Sequence, residues 1–372
     1  MQNITYYLSN LNDPSLFLQL CSNNYISIYK NLFLLQSGEV VGDLFGILIN
    51  ICLSNRNALA ILYNNAILKQ ILYRFSSTII NDYELENSIQ FMYLLTSISF
   101  SFTPNEIEQV YHLLYTIISQ SNEINIIVYA LKGICRLLQS DNNQRFMIVF
   151  DLIYKTNLIT IVMKFFDYEH MQYINILYEI ISILNYICSN LPKDKLEMFI
   201  RKYNLLDYIF DLLTLKCPNY NSIQEVIKII KVLTSKDVEM NFIREIIHHK
   251  CMKYLIEQAY SHSDFCVRDL CIDVFLDILR TNNDDVLYEM FNLGCVDVLV
   301  SKVLVDEQDG NILKKGIECL YYFIYNTKGD VFIKKVKELG GEDILGKIQA
   351  NIVTNENNEL DKVIEKVKRM LI

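Results

Sequence analysis

Three groups of residues have the types and spacing that could do chemistry. Gly341-x-x-x-x-Gly346-Lys347 lacks only the last member of a phosphate-binding loop. Such a loop needs a nest of backbone N–H groups, a Lys on the outer phosphates and a Ser or Thr hydroxyl on magnesium. Here the hydroxyl position is Ile348. The preceding residues Val331, Ile333, Val336 and Leu339, set among four charges, have the spacing of a short amphipathic helix where the loop would require a strand. The stretch is therefore expected to be a join between two helices. His248-His249-x-Cys251 and His262-x-x-x-Cys266 could offer metal ligands, but adjacent residues on a helix point about 100° apart and no second close pair completes four ligands. No metal is expected. Asp273 and Asp277 lie one helical turn apart, near Asp264 and Asp269, and Glu318 follows further on. These acids would suit a Lys- or Arg-rich partner; the plainer reading is a solvated helix face. The five His residues (His112, His170, His248, His249, His262) have no Ser or Cys elbow beside them, so neither an enzyme nor a cofactor is expected.

The elements that position these residues follow from composition. The chain has 372 residues, 52% of them apolar, with 11 Gly and 4 Pro. That is too few turn residues for many short strands, and long helices joined by short polar turns remain. A net charge of −9 argues against a nucleic-acid binder, which needs a basic face, and favours a basic protein partner. Ten Cys are scattered without a CxxC pair, the usage of a reducing compartment. No Lys or Arg precedes Lys30, so the charged head of a signal peptide is missing. The longest uncharged run, Asn87 to Asn105, is broken by eight Ser, Thr, Gln and Pro residues, and no membrane insertion is expected. Location in cytoplasm and nucleus is the expectation.

The chain repeats itself. Each of Asn65, Asn157, Asn204, Lys250, Gly294 and Gly340 stands before an apolar helix start, at separations of 92, 47, 46, 44 and 46. The missing member of the doubled interval falls in "FTPNEIEQVYHLLYTI", where Thr103 and Pro104 open a helix with a cap and an N-terminal Pro. Gly and Asn suit a left-handed residue between two helices, and Lys250 is expected to bear modest strain there. Each marker is followed by an apolar helix, a polar loop such as "DEQDGN", and another helix such as "GIECLYYFIYNT". Three helices in 40 to 47 residues is an armadillo or HEAT period. Units of that kind bury their apolar faces only by stacking. The expected fold is all-α, an armadillo-type α-solenoid, a right-handed superhelix of three-helix repeats. It would be a single array of about eight repeats over residues 1–372, with 1–40 a degenerate N-terminal cap and 331–372 a C-terminal capping repeat.

Three passages resemble the armadillo domain of importin alpha. They are "FTPNEIEQVYHLLYTIISQSNEINIIVYALKGICRLLQSDNN", "LYEMFNLGCVDVLVSKVLVDEQDGNILKKGIECLYYFI" and "ELGGEDILGKIQANIVTNENNELDKVIEKVKRML". The resemblance implies a groove in which the third helix of each repeat presents Trp-x-x-x-Asn, the rings holding Lys stems and the amides clamping an extended basic peptide. Carried over by position, the pairs are Gly46 and Asn50, Tyr93 and Ser97, Tyr129 and Gly133, Ser182 and Tyr186, Ile227 and Lys231, Asp273 and Asp277, Glu318 and Tyr322. The chain contains no Trp. Asn50 keeps a clamp, Tyr93 and Tyr129 stand where rings are expected, and Lys231 would repel a basic peptide. The family's basic N-terminal arm for importin beta is expected to be absent. The implied function is an adaptor for nuclear-localisation peptides, with a cargo protein and transport receptors as partners. A protein-interaction scaffold with no transport role is the alternative.

Overall fold

The computed structural model describes residues 23–371, apart from residues 35–36, 56, 78–79, 140–141, 168–173, 215–219, 236–238, 326–328 and 353–357. Among the described residues every regular element is helical. Contacts divide the chain into two compact units, Met1–Ile187 and Cys188–Ile372. The first holds α1 (Asn23–Leu32), α2 (Gly38–Ser54), α3 (Asn57–Asn64), α4 (Ile67–Ser77), α5 (Asp82–Thr96), α6 (Pro104–Gln120), α7 (Ile124–Leu138), α8 (Asn143–Thr156), α9 (Leu158–Met163) and the larger part of α10 (Ile174–Asn190). Within it α2 packs on α5, and α5 on α7. The second holds α11 (Lys193–Tyr203), α12 (Leu205–Thr214), α13 (Tyr220–Ser235), α14 (Met240–His248), α15 (Lys250–Ser261), α16 (Phe265–Leu279) and α17 (Asp284–Asn292). It continues through α18 (Cys295–Val298), a π turn at Leu299–Val303 and α19 (Leu304–Asp306) to α20 (Gly310–Tyr325), α21 (Gly329–Glu338), α22 (Gly341–Ile352) and α23 (Asn358–Leu371). Here α13, α16, α20 and α23 pack each on the next. Residues 1–22 of the expected N-terminal cap lie outside the described residues.

Local chemistry starts and stops these helices. Thr103 and Glu106 form a reciprocal capping box in front of Pro104. The side chains of Asn81, Asn142, Asp264 and Asn283 accept from backbone N–H groups of the helices they precede, each cap contributing about 1 kcal/mol. The left-handed joins expected at Asn157, Asn204, Gly294 and Gly340 are present, with φ of 53°, 48°, 84° and 73°. Two others are built differently. Asn65 sends its side-chain amide back to the Ile61 carbonyl at 2.9 Å, and the left-handed residue is the next one, Ala66, with φ of 61°. At Lys250 there is no strain: His249 stays extended and its Nδ1 accepts from the Cys251 N–H at 3.3 Å, so Lys250 simply begins α15. A side-chain cap has replaced a left-handed turn.

Gly341, Gly346 and Lys347 all lie within α22, and the stretch is a helix where a phosphate site would need a loop. The two consecutive glycines have separate tasks. Gly340 supplies the positive φ, whereas a Cβ on Gly341 would sit 2.9 Å from the Val336 carbonyl oxygen. In α21 the core-facing residues are Phe332 and Val336, with Val331 exposed. In α23 Leu360, Ile364, Val367 and Leu371 are buried and Lys362, Glu365, Lys366 and Arg369 exposed, the one-sided pattern of an amphipathic helix. The uncharged run Asn87–Asn105 forms the buried end of α5, a 3-10 turn and the start of α6. Among the described residues no helix is long and apolar enough to cross a membrane.

One ionic contact is part of the core. The side chains of Arg74 on α4 and Glu84 on α5 are 2% and 1% exposed. They meet through a two-pronged pairing that includes Nη2 to Oε2 at 2.8 Å, and Nη1 reaches the Phe33 carbonyl at 3.1 Å. This clamp joins α4 and α5 to the end of α1.

Candidate functional site

The candidate groove residues lie on the helices that close successive repeats, and the structure brings them together in two clusters. In the first unit the rings of Tyr93 (α5) and Tyr129 (α7) are tilted, with centroids 5.9 Å apart. Cations of the chain itself cover them. The Arg136 guanidinium lies 4.3 Å from the Tyr93 centroid and donates to its hydroxyl at 2.8 Å, while Lys132 Nζ stands 5.5 Å from the Tyr129 centroid. Lys132 also reaches Glu179 on α10 at 3.9 Å, whose carboxyl is pushed up by burial against the pull of Lys132. Ser97 is exposed at the end of α5 and donates to the Leu94 carbonyl at 2.6 Å. The remaining candidates stand apart. Asn50 is half-buried on α2, and Tyr186 on α10 packs its ring 6.1 Å from Phe146.

In the second unit Asp273, Asp277, Glu318 and Tyr322 form one network with cations from neighbouring repeats. Asp273 accepts from Lys231 of α13 at 2.5 Å and pairs with Lys315 of α20 at 2.7 Å; Lys315 also reaches Asp269 at 2.6 Å. Arg280 stands 3.5 Å from Asp277 and 3.8 Å from Glu318, and Tyr322 lies close enough to favour its charged form. Lys231, read from the sequence as a repelling charge, is thus matched by Asp273. Four carboxylates (Asp269, Asp273, Asp277, Glu318) face three cations (Lys231, Lys315, Arg280), so one negative charge is in excess. The two central acids differ. Burial pushes the Asp273 carboxyl up, but the hydrogen bonds from Lys231 and Lys315 outweigh it and leave it below its ordinary range. For Asp277 burial prevails over the pull of Lys231 and Arg280, and its carboxyl is raised. Its Oδ2 is buried and has no hydrogen-bond partner.

Two further transferred positions belong to neither cluster. Ile227 is fully buried, and Gly133 is buried, facing Leu114 of α6, where a Cβ would meet Leu114 at 2.8 Å. The sequence reading also passed over Lys132, Arg136, Arg280 and Lys315, which do most of the pairing. A signal existed: Lys132 and Arg136 stand three and seven residues after Tyr129 and Lys315 three before Glu318, on shared helix faces. The His and Cys motifs have ordinary local roles. Because His249 Nδ1 accepts from Cys251, its Nε2 carries the proton toward Asp207, 3.0 Å away, and His262 Nδ1 accepts from the Asp264 N–H. Burial pushes the Cys251 and Cys135 thiols up to about 12, which keeps them protonated and unreactive. Among the described residues no group of three His, Cys, Asp or Glu could hold a metal ion. His170 lies outside the described residues.

In comparisons with known proteins, no protein-family model matches the chain, and no curated protein matches it. Solved structures do. An engineered protein from the Northeast Structural Genomics Consortium is similar over 99% of this chain and 94% of its own, with a TM-score of 0.63 at 13% identity. A designed armadillo repeat protein covers 70% of this chain and 99% of its own, with a TM-score of 0.53 at 15% identity. Another designed armadillo repeat protein, in complex with the peptide (KR)4, covers 70% and 98%, with a TM-score of 0.54 at 14% identity. At such identities the likeness concerns the fold, and the chain has an all-α, armadillo-type repeat fold.

Proposed function

We propose that this armadillo-type chain is an adaptor that holds an extended basic segment of another protein against α16 and α20. We propose further that the segment is of the nuclear-localisation type, so that the adaptor serves protein import into the nucleus, moving between cytoplasm and nucleus with transport receptors as further partners. The observation that carries the reading is the excess carboxylate of the second unit. Asp277 keeps one oxygen without a donor; that oxygen is buried, so an arriving charged donor engages the carboxylate where its partly exposed side chain turns to meet it. Glu318 and Tyr322 stand one repeat on, near enough to share Arg280. That one armadillo-fold relative was solved with a peptide of Lys and Arg agrees with this chemistry.

Titration with a fluorescently labelled Lys-rich localisation peptide tests the proposal. Saturable binding tighter than about 100 μM, roughly 5.5 kcal/mol, is expected, and the isosteric Asp277→Asn should weaken it several-fold. No saturation in that range, or full binding by Asp277→Asn, would remove the basic-segment reading. A scaffold role without transport is the second reading, and the Tyr93 and Tyr129 rings favour it, because Arg136 and Lys132 already occupy them. Peptide binding without nuclear accumulation of a tagged cargo in permeabilised cells would decide for the scaffold.

A further inference from the structure

Two guanidiniums of the first unit are held differently from the paired cations described so far. In the second unit Lys231, Lys315, Arg280 and Arg268 each stand against a carboxylate. In the first, Arg136 and Arg145 have no carboxylate partner among the described residues. Arg136 is held by the ring and hydroxyl of Tyr93. Arg145 is held by the Ser99 carbonyl, which accepts from its Nη1 at 3.1 Å. Glu106, at the start of the neighbouring helix, is taken by the Thr103 cap and the Tyr63 hydroxyl. Both guanidiniums are therefore fixed by neutral groups and keep their remaining N–H donors and their full charge.

They also line the same space. Arg136, Arg145, Ser97, Phe100, Gln139 and Asn142 border a cleft of about 610 Å³. Among the described residues that border it, none is an acid. Gln139 and Asn142 add polar side chains at the border, and Phe100, 68% exposed, offers a bare aromatic face there.

We infer that this cleft binds a phosphorylated Ser or Thr side chain in a segment of a partner protein. Two planar forks match a tetrahedral oxyanion bearing close to two negative charges, whereas a single Asp or Glu would satisfy one of them. Tyr93 and the Ser99 carbonyl orient the guanidiniums before the ligand arrives, which lowers the ordering cost of binding. Phe100 provides an apolar wall for a residue beside the phosphorylated one. The site lies in the first unit and does not rest on the basic-segment proposal for the second.

The test is capture of the purified full-length chain on two immobilised degenerate peptide sets that are identical except for a central phosphoserine or serine. The phosphorylated set should retain the chain roughly tenfold better. Arg136→Gln and Arg145→Gln should each bring retention down toward the serine set, and Arg145→Lys, which keeps the charge and loses the fork, should fall between. Circular dichroism melts and undiminished binding of the Lys-rich peptide, where wild type shows it, verify that the variants are folded. Equal retention on the two sets would overturn the inference, as would phosphopeptide capture that survives both Gln variants. Complete displacement by inorganic phosphate at a concentration equal to that of the peptide would overturn the peptide source and leave a site for the free ion.

Discussion

Two aspartates one turn apart on α16 respond to pH in opposite senses. Asp273, held below its ordinary range once Lys231 and Lys315 overcome its burial, stabilises the fold above its unfolded pKa, and that contribution is lost as pH falls through the folded value. Asp277, raised mainly by burial, behaves oppositely: its contribution is complete below the unfolded pKa and is lost as pH rises through the folded value. A cationic ligand needs Asp277 ionised. Affinity for the Lys-rich peptide is therefore expected to fall on acidification while Asp273 is still charged, starting above the ordinary aspartate range. Asp277→Asn should flatten that profile, and titrations of the peptide at several pH values check it. A pH dependence identical in wild type and Asp277→Asn would take this residue out of the ligand's path.

At the scale of helices, the strongest dependence falls on the Arg74–Glu84 clamp. Arg74→Met leaves Glu84 buried without its charge partner and should cost about 3–5 kcal/mol, whereas Arg74→Met with Glu84→Leu should recover most of it. Urea melts of the single and double variants measure both. Gly340→Val places a β-branched residue at a φ of 73° and should cost about 1–2 kcal/mol or more, while Lys347→Ala, in the middle of α22, should leave stability unchanged. These joins also show how far a sequence can be read. Asn157, Asn204, Gly294 and Gly340 were legible because their task is a backbone angle, and the residue type reports it directly. The join at Lys250 was not, since His249 solves it with a ring nitrogen, and Ala66 takes a left-handed angle that its residue type gives no reason to expect. Within each unit the neighbouring helix faces were legible, Tyr93 beside Tyr129 in the first and Asp273 near Glu318 in the second. Their charge pairing was not, because Lys231 meets Asp273 and Lys315 meets Asp269 across neighbouring repeats, where a shift of one residue changes every partner.

Among the described residues, side-chain hydrogen bonds and ion pairs reach about one repeat and stop. The longer side-chain hydrogen bonds among the described residues span 38 to 46 positions, from Tyr63–Ser101 to Arg145–Ser99 and Lys315–Asp269. A defect should accordingly stay close to where it is made, as nearest-neighbour coupling in repeat proteins requires. Hydrogen exchange should quicken in α1, α4, α5 and their packing neighbours in Arg74→Met, with α16 to α23 unchanged; Gly340→Val should show the reverse. Equal acceleration everywhere would mean that cooperativity extends far beyond a repeat.

The π turn at Leu299–Val303 has a further meaning in this setting. Leu299, Val303 and Leu304 close over Gly316, where an added Cβ would come within 3.4 to 4.0 Å of their side chains. The wider turn thus packs on α20 at Gly316 with ordinary van der Waals spacing. A π turn is a helix carrying an inserted residue without breaking, so a repeat built this way absorbs a change of length while α20 remains packed on α16 and α23. Heredity can then alter the spacing of such a chain one codon at a time without dismantling it.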